Sequence, residues 1–284
     1  MIYGVQRTIA RPVVARGPAL HHGRPVEVWL RPAPPGHGRV FVRADLPGAP
    51  ALPAWAPLAA DGRLATRLGA GPAGVLTVEH LLAAAVGEGV DNLRVDVHGP
   101  ELPLLDGAAD QWARLLEQAG PVEQAQPREP LVLDRVVRVE DGPRWAQAEP
   151  CPRLELRVSI DFPQPAVGAQ AVQLALGPGV FRRELAWART FGFLDELAQL
   201  RAARLGLGGD LDSVVVFGPA GPLEPLRAPD EPVRHKALDL LGDLALLGRP
   251  LCARVRAHRP GHALTRALVL ALIDAAAAAA REAG

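Results

Sequence analysis

The sequence has few cysteines, a single lysine and no net charge. Cys151 and Cys252 are its only two cysteines and lie far apart, with no C-x-x-C pairing. The sequence therefore predicts neither a disulfide framework nor a cysteine-ligated zinc site. Acidic and basic residues number 31 each, so the formal net charge is zero. Because nucleic-acid-binding proteins usually carry a basic surface, we expect no nucleic-acid partner.

Long hydrophobic runs are also missing. The opening MIYGVQRTIARPVVARG has no continuous apolar segment of the kind found in signal peptides. The longest apolar stretch, near residues 267–280, is interrupted by Asp274 and is short for a membrane span, which needs about 20 residues. We therefore expect a cytoplasmic protein with no membrane span, and we expect it to be a monomer.

The chain divides into two halves that resemble each other. Each half places a histidine at the start of an amphipathic helix, His80 and His235, and a glycine seven residues later, Gly87 and Gly242, followed by a short strand. A polar, proline-containing segment at residues 123–133 predicts a linker between them. We expect domains at residues 1–124 and 130–284, with a site where the two copies meet.

The run RHKALDLLGD carries ligand-type side chains on one helical face. His235, Asp239 and Asp243 follow one another at intervals of four residues, and such positions share a face. An imidazole and a carboxylate at this spacing can reach one metal ion, whereas Asp243 is better placed to hold another group. Lys236, the only lysine, lies in the same run. It could instead be an ordinary solvated charge.

The run TVEH offers a third metal ligand and a base. Adjacent helical residues diverge by about 100°, so His80 can face a metal while Glu79 faces a water beside it. A ligand next to a general base is typical of zinc hydrolases, whose catalytic sites use three protein ligands. A helix-start glutamate beside a hydrogen-bonded histidine is the alternative interpretation.

Two further segments are candidates for chemistry. His262 follows Gly261 and precedes an apolar helix, so it could act as an acid or as an electrostatic partner; the alternative is a surface histidine. The segment that begins ARTFGF combines Thr190 with an amphipathic helix, a glycine turn and a buried-type strand. A unit that packs only its own core would give the same pattern.

Taken together and in order, these motifs strongly resemble a known family. TVEHLLAA, VDNL, GPELPLLDGAA, ARTFGF, VRHKALDLLGD and GHAL resemble the UDP-3-O-(3-hydroxyacyl)-N-acetylglucosamine deacetylases, the zinc amidases of lipid A biosynthesis. The resemblance covers nearly the whole chain. It implies an α+β fold of two similar β-α-β sandwich domains from an internal duplication, with helices layered between the sheets and the active site in the inter-domain cleft.

The same resemblance implies roles for the candidate residues. His80, His235 and Asp239 would bind Zn²⁺, and Glu79 would be the general base for the attacking water. His262 would be the protonated partner that stabilises the oxyanion and protonates the leaving amine. The remaining catalytic residues implied are Asp243, which would orient His262, and Thr190, which would donate to the oxyanion.

The implied substrate is an acylated UDP-N-acetylglucosamine. Lys236 would bind its polar part, and an insert at about residues 191–216 would form a tunnel for the acyl chain. The substrate-binding residues implied are Lys236, Phe191, Phe162, Leu200 and Val216.

The sequence departs from the family pattern at two places. Ala19 replaces a glycine near the N-terminus and could shift a loop of the cleft, and Asp210 replaces a common serine and would add a charge near the tunnel. Two other functions remain open at this point: a catalytically silent relative that binds sugar nucleotides or lipids, and a deacetylase of another N-acetyl sugar.

Overall fold

The computed structural model of the protein describes residues 4–62 and 64–283. The strands up to residue 127 are β1 (Val5–Ile9), β2 (Val13–Pro18), β3 (Pro25–Pro32), β4 (Arg39–Arg43), β5 (Ala51–Pro53), β6 (Ala59–Asp61), β7 (Thr66–Leu68), β8 (Val75–Leu76), β9 (Leu93–His98) and β10 (Pro121–Pro127). The later strands are β11 (Leu131–Val132), β12 (Val137–Asp141), β13 (Arg144–Pro150), β14 (Glu155–Asp161), β15 (Ala169–Ala175), β16 (Phe191–Phe193), β17 (Val215–Gly218), β18 (Gly221–Pro222) and β19 (Leu251–His258).

Helices connect these strands. The α-helices are α1 (Glu79–Gly87), α2 (Asp110–Ala119), α3 (Val180–Glu184), α4 (Leu197–Ala202), α5 (Glu231–Leu244) and α6 (His262–Ala283). Short 3-10 helices lie at Ala56–Leu58, Gly71–Ala73, Leu194–Glu196 and Ala245–Leu247.

The two large sheets have the same topology. The order is β2-β3-β9-β4-β5 in the first and β12-β13-β19-β14-β15 in the second, where β11 also pairs with β19. In each sheet the middle strand is antiparallel to one neighbour and parallel to the other: β9 to β3 and β4, and β19 to β13 and β14. An internal duplication would give this match of order and sense, and the duplication itself stays a prediction.

The strands have one apolar and one more polar face. In β3 the side chains of Val26, Val28 and Leu30 are buried, whereas those of Glu27 and Arg31 are partly exposed. This alternation matches the two-residue period of a strand and turns one face of the sheet towards the core. The corresponding strand of the second sheet, β13, buries its alanines in the same alternating way.

The helices pack against these apolar faces and against one another. Helix α1 contacts α5 and α2, while α6 contacts α5 and the strands β12 and β13. Helix α1 is apolar around most of its circumference and is buried, as expected for a helix enclosed by other elements. The mixture of sheets and helices confirms the predicted α+β fold class.

The crossing of α1 and α5 is unusually close. At Gly242 of α5, an added Cβ would lie 2.1 Å from the carbonyl oxygen of Glu79. The missing side chain therefore lets the start of α1 lie directly on α5, which brings Glu79 and His80 towards the ligand face of α5.

The segment predicted as a linker, residues 123–133, contains regular structure. Strand β10 pairs antiparallel with β1, and β11 pairs parallel with β19. Most side chains of β10 are exposed, which explains why its sequence lacks the apolar alternation of a strand. The domain boundary itself remains a prediction.

Helix α6 is long and apolar enough over His262–Glu282 to cross a membrane, judged by length and composition only. Its side chains Leu264, Leu268 and Leu272 are buried against the rest of the protein. Because core helices of globular proteins satisfy the same criteria, one such helix is weak support for a span.

Candidate metal centre and catalytic site

Three predicted ligands meet where α1 crosses α5. His80 lies in the first turn of α1, and His235 and Asp239 lie one turn apart on α5. Their ligand atoms are within 4.8 Å of one another, and Asp239 Oδ1 is 3.3 Å from His235 Nε2 and 3.7 Å from His80 Nε2. All three side chains are buried. Two imidazoles and one carboxylate are a donor set that suits Zn²⁺ and related divalent metals, so these residues fit a metal ion.

Neighbouring groups orient the ligands. His235 Nδ1 lies 3.0 Å from the carbonyl oxygen of Ala188, which leaves Nε2 directed towards Asp239. Burial lowers the pKa of His235 to about 4, so the ring is neutral and has a lone pair to offer a metal. Lys236 Nζ donates to Asp239 Oδ2 at 2.8 Å. Such outer hydrogen bonds are usual around histidine and carboxylate ligands.

The position of Ala188 depends on a buried ion pair that the sequence analysis missed. Arg189 Nε donates to Glu231 Oε1 at 3.0 Å, and both side chains are almost fully buried. Burial acts to raise the pKa of Glu231, but the hydrogen bonds from Arg189 and from the backbone N–H of Arg227 together outweigh it, and the pKa is lowered. Glu231 is the first residue of α5. The pair therefore fixes the Ala188 segment to the helix that carries two metal ligands.

Glu79 and Asp243, which are buried, and His262, which is partly buried, form a second group beside the ligands. His262 Nδ1 is 2.9 Å from Asp243 Oδ2, and His262 Nε2 is 3.8 Å from Glu79 Oε1. Burial raises the pKa of Glu79. Burial acts to lower the pKa of His262, but Asp243 and Glu79 outweigh it and raise this pKa to about 10. The arrangement combines a carboxylate able to accept a proton with an imidazolium able to give one.

Thr66, on β7, was also missed by the sequence analysis. Its N–H donates to Glu79 Oε2 at 3.1 Å, and its hydroxyl donates to Asp243 Oδ1. No motif surrounds it in the run ATRL, and a threonine in a short strand gives no signal of a site.

Two of the predicted substrate-binding residues, Phe191 and Lys236, lie beside the metal ligands. The ring of Phe191 is 6.3 Å from that of His235 and 5.5 Å from that of Phe162, between ring centroids. Lys236 Nζ lies 5.6 Å from the Phe191 centroid. Lys236 thus lies between a ligand carboxylate and an aromatic ring, rather than being an isolated solvated charge.

The other predicted contacts come from the segment at 190–216. Thr190 is held by its N–H, which donates to the Gly107 carbonyl at 2.8 Å. Val216 is buried on β17, opposite Gly192 of β16. Leu200 is only half-buried and lies on α4, in which no residue is buried. Leu200 is therefore less enclosed than Val216.

The two departures from the family pattern have local structural accounts. Ala19 is fully buried, and the insert passes so close that a Cβ on Gly208 would lie 2.1 Å from the Ala19 carbonyl oxygen. The carboxylate of Asp210 accepts from the N–H and the hydroxyl of Ser213, at 2.9 and 2.5 Å. The charge of Asp210 is thereby stabilised by hydrogen bonds within its own turn.

The site combines buried nitrogen and oxygen ligands for a metal with a carboxylate and an imidazolium that can transfer protons. This combination is typical of a metal-dependent hydrolase. Comparison with known proteins is in agreement. The model of the family of UDP-3-O-acyl N-acetylglycosamine deacetylases (LpxC), a metalloenzyme family, matches residues 6–274. The chain belongs to this family.

Similar proteins include three named UDP-3-O-acyl-N-acetylglucosamine deacetylase. The protein from Myxococcus xanthus is 45% identical over 266 residues, which cover 93% of this chain and 85% of that protein. The one from Anaeromyxobacter sp. is 43% identical, covering 95% of this chain and 88% of its own. The one from Thermosynechococcus vestitus is 42% identical, covering 96% and 95%.

Proposed function

We propose that this chain removes the N-acetyl group of UDP-3-O-(3-hydroxyacyl)-N-acetylglucosamine, giving acetate and the free amine, in lipid A biosynthesis. We further propose that it acts as a cytoplasmic monomer. The observation that carries the proposal is that the proton-transfer pair Glu79 and His262 adjoins the ligand set His80, His235 and Asp239. Glu79 directly precedes the ligand His80 on α1, and its Oε1 is 3.8 Å from His262 Nε2. The names of the similar proteins support the choice of substrate.

In this proposal Zn²⁺ is the metal held by His80, His235 and Asp239. When bound, the ion would supply Lewis-acid polarisation of the acetyl carbonyl and acidify a water. Glu79 takes a proton from the attacking water as the new C–O bond forms. The raised pKa of Glu79 suits this task, because a carboxylate destabilised by burial accepts a proton more readily.

His262 completes the proton transfer. In its protonated form it stabilises the negative charge that develops on the acetyl oxygen, and it then protonates the amine nitrogen as the C–N bond breaks. Asp243 keeps the imidazole oriented and charged through the Nδ1 hydrogen bond. Thr190 donates to the same oxyanion, in line with the general value of placed donors at such an oxygen.

Lys236 binds the polar part of the substrate. Its ammonium has three protons and uses one on Asp239 in this structure, so two remain for a ligand. Phe162, Phe191, Val216 and Leu200 contribute to the acyl site. The aromatic contact between Phe162 and Phe191 supports an apolar surface next to the metal ligands.

The function is tested by acetate release from the acylated UDP-sugar, with and without a chelator. We expect activity that the chelator abolishes. Glu79→Gln should keep the metal but lower kcat by about a hundredfold or more, the usual scale for a lost general base. Glu123→Gln, an exposed glutamate on β10, is the matched control and should be unchanged. Wild-type protein that binds the substrate but releases no acetate would instead be a silent relative.

The acyl site is tested by Leu200→Trp. Each methylene buried is worth up to about 0.8 kcal/mol, so an enclosed acyl chain contributes several kcal/mol to binding. The bulky side chain should therefore lower kcat/KM for the long-chain substrate more than for the deacylated one. Melting temperatures measured alongside test for general destabilisation. Equal losses on both substrates would mean that Leu200 does not contact the acyl chain.

A further inference from the structure

Thr66 contacts Glu79, Asp243 and His262, the three side chains that transfer protons or hold the one that does. Its backbone N–H donates to Glu79 Oε2 at 3.1 Å, its hydroxyl donates to Asp243 Oδ1, and the same hydroxyl oxygen lies 3.0 Å from His262 Nδ1. The side chain is 4% exposed. A single residue of β7 therefore reaches groups that arrive from α1, α5 and α6.

The chemistry of these groups fixes where the protons lie. An ionised carboxylate only accepts hydrogen bonds, so Asp243 must receive the Thr66 hydroxyl proton on Oδ1 and the His262 Nδ1 proton on Oδ2. With Nδ1 protonated, the other ring nitrogen, Nε2, faces Glu79. Rotation of either the carboxylate or the ring would break one of these hydrogen bonds.

Thr66 is itself held independently of the helices that carry Asp243 and His262. It lies on β7, where it pairs with Asp61 of β6, and β7 pairs in turn with β8. Its carbonyl accepts the N–H of Val78, the residue immediately before α1. Threonine is β-branched, which suits a strand and leaves the side chain few rotamers. The position of the Thr66 hydroxyl is therefore restricted.

We propose that Thr66 is a positioning residue for deacetylation: its hydroxyl locks Asp243 and His262 in their working orientation, and its N–H orients Glu79. The proposal rests on the proposed function. Thr66 acts through these three side chains and exchanges no proton with the substrate. Because the N–H survives any substitution except proline, the hydroxyl is the part that side-chain variants test.

The experiment compares Thr66→Val, which removes the hydroxyl but keeps the shape, with Thr66→Ser, which keeps the hydroxyl. The matched control is Thr8→Val, since Thr8 is also a buried strand threonine and its hydroxyl accepts the N–H of Ala33, a residue outside the site. For each variant we would measure kcat and KM for acetate release, the melting temperature and the metal content.

We expect Thr66→Val to lower kcat by about ten- to a hundredfold, the usual scale for lost outer-sphere positioning, with KM within about twofold and the metal retained. Thr66→Ser should restore most of the kcat. Thr8→Val should lower the melting temperature at least as much without changing kcat. If Thr66→Val does not fold, Thr66→Ala and Thr8→Ala replace the pair.

A double-mutant cycle with Asp243→Ala then tests whether the Thr66 hydroxyl acts through the Asp243 carboxylate. Once the carboxylate is gone, loss of the Thr66 hydroxyl should cost no more than a further twofold. The proposal is overturned by a Thr66→Val kcat within threefold of wild type, by an equal loss in Thr66→Ser, or by additive losses in the cycle. A wild-type protein without deacetylase activity would refute the proposed function at the first measurement, before any variant is compared.

Discussion

At the scale of single residues, Glu79 and His262 have pKa values raised for different reasons. Burial, reinforced by the negative charges of Asp239 and Asp243, destabilises the Glu79 carboxylate, whereas the charge on His262 is stabilised by Asp243 and Glu79 against the effect of burial. His262 is also the first residue of α6, where the helix dipole disfavours a cation by about 0.3–1 kcal/mol. The carboxylates are thus needed to keep this imidazole charged.

This charge predicts a pH dependence of the stability of the metal-free protein. The pKa of His262 is raised from 6.5 to about 10 on folding, so its contribution is fully present below about pH 6.5 and is lost as the pH rises towards 10. Urea unfolding of chelator-treated wild type and His262→Gln should therefore show an excess stability of wild type that shrinks over this range. A difference that stays constant with pH would contradict the assigned charge.

At the scale of elements, the histidines of the site lie where helices begin. His80 and His262 lie in the first turns of α1 and α6, and His235 lies near the start of α5. The stripe of ligands on α5 could be predicted from the sequence, because helical periodicity alone places His235 and Asp239 on one face. Thr66 and the Arg189–Glu231 pair could not, because their roles depend on contacts between distant segments.

The crossing of α1 and α5 predicts the effect of Gly242→Ala. Helix propensity alone would make this change stabilising by about 1 kcal/mol. The added Cβ, however, would lie 2.1 Å from the Glu79 carbonyl oxygen, which is backbone and cannot move aside easily. We therefore expect a lower melting temperature and a loss of both metal affinity and activity.

The matched control for this substitution is Gly177→Ala, because no atom lies within 4 Å of a Cβ built there. It should leave stability, metal content and activity unchanged. If Gly242→Ala were as stable and as active as the control, the close crossing would not determine the geometry of the site.

At the scale of the whole molecule, the resemblance between the two halves could be predicted from the sequence, but some of the strand pairings could not. The equivalent helices, glycines and strands could be predicted because their patterns are local, and the two large sheets do share one topology. The pairing of β1 with β10 and the small sheet of β6, β7 and β8 could not. Their strands are short or exposed on most positions, so no alternation marks them.

The metal ligands come from both halves, which makes the metal a link between them. His80 belongs to α1 of the first half, whereas His235 and Asp239 belong to α5 of the second. A ligand that binds only the folded chain adds stability by mass action, about 4 kcal/mol when its free concentration is a thousand times its Kd. For a chain of this size, 1 kcal/mol corresponds to roughly 2 °C or slightly more in melting temperature.

Removal of the metal should therefore lower the melting temperature of the wild type by about 5–10 °C, and added Zn²⁺ should restore it. Asp239→Ala should show no such response, because it lacks the carboxylate that lies within reach of both histidines. Asp210→Ala, which removes a carboxylate that accepts hydrogen bonds from Ser213 within its own turn, should respond like the wild type. Calorimetry of all three proteins with and without chelator makes the comparison, and a chelator response retained in Asp239→Ala would place the metal elsewhere.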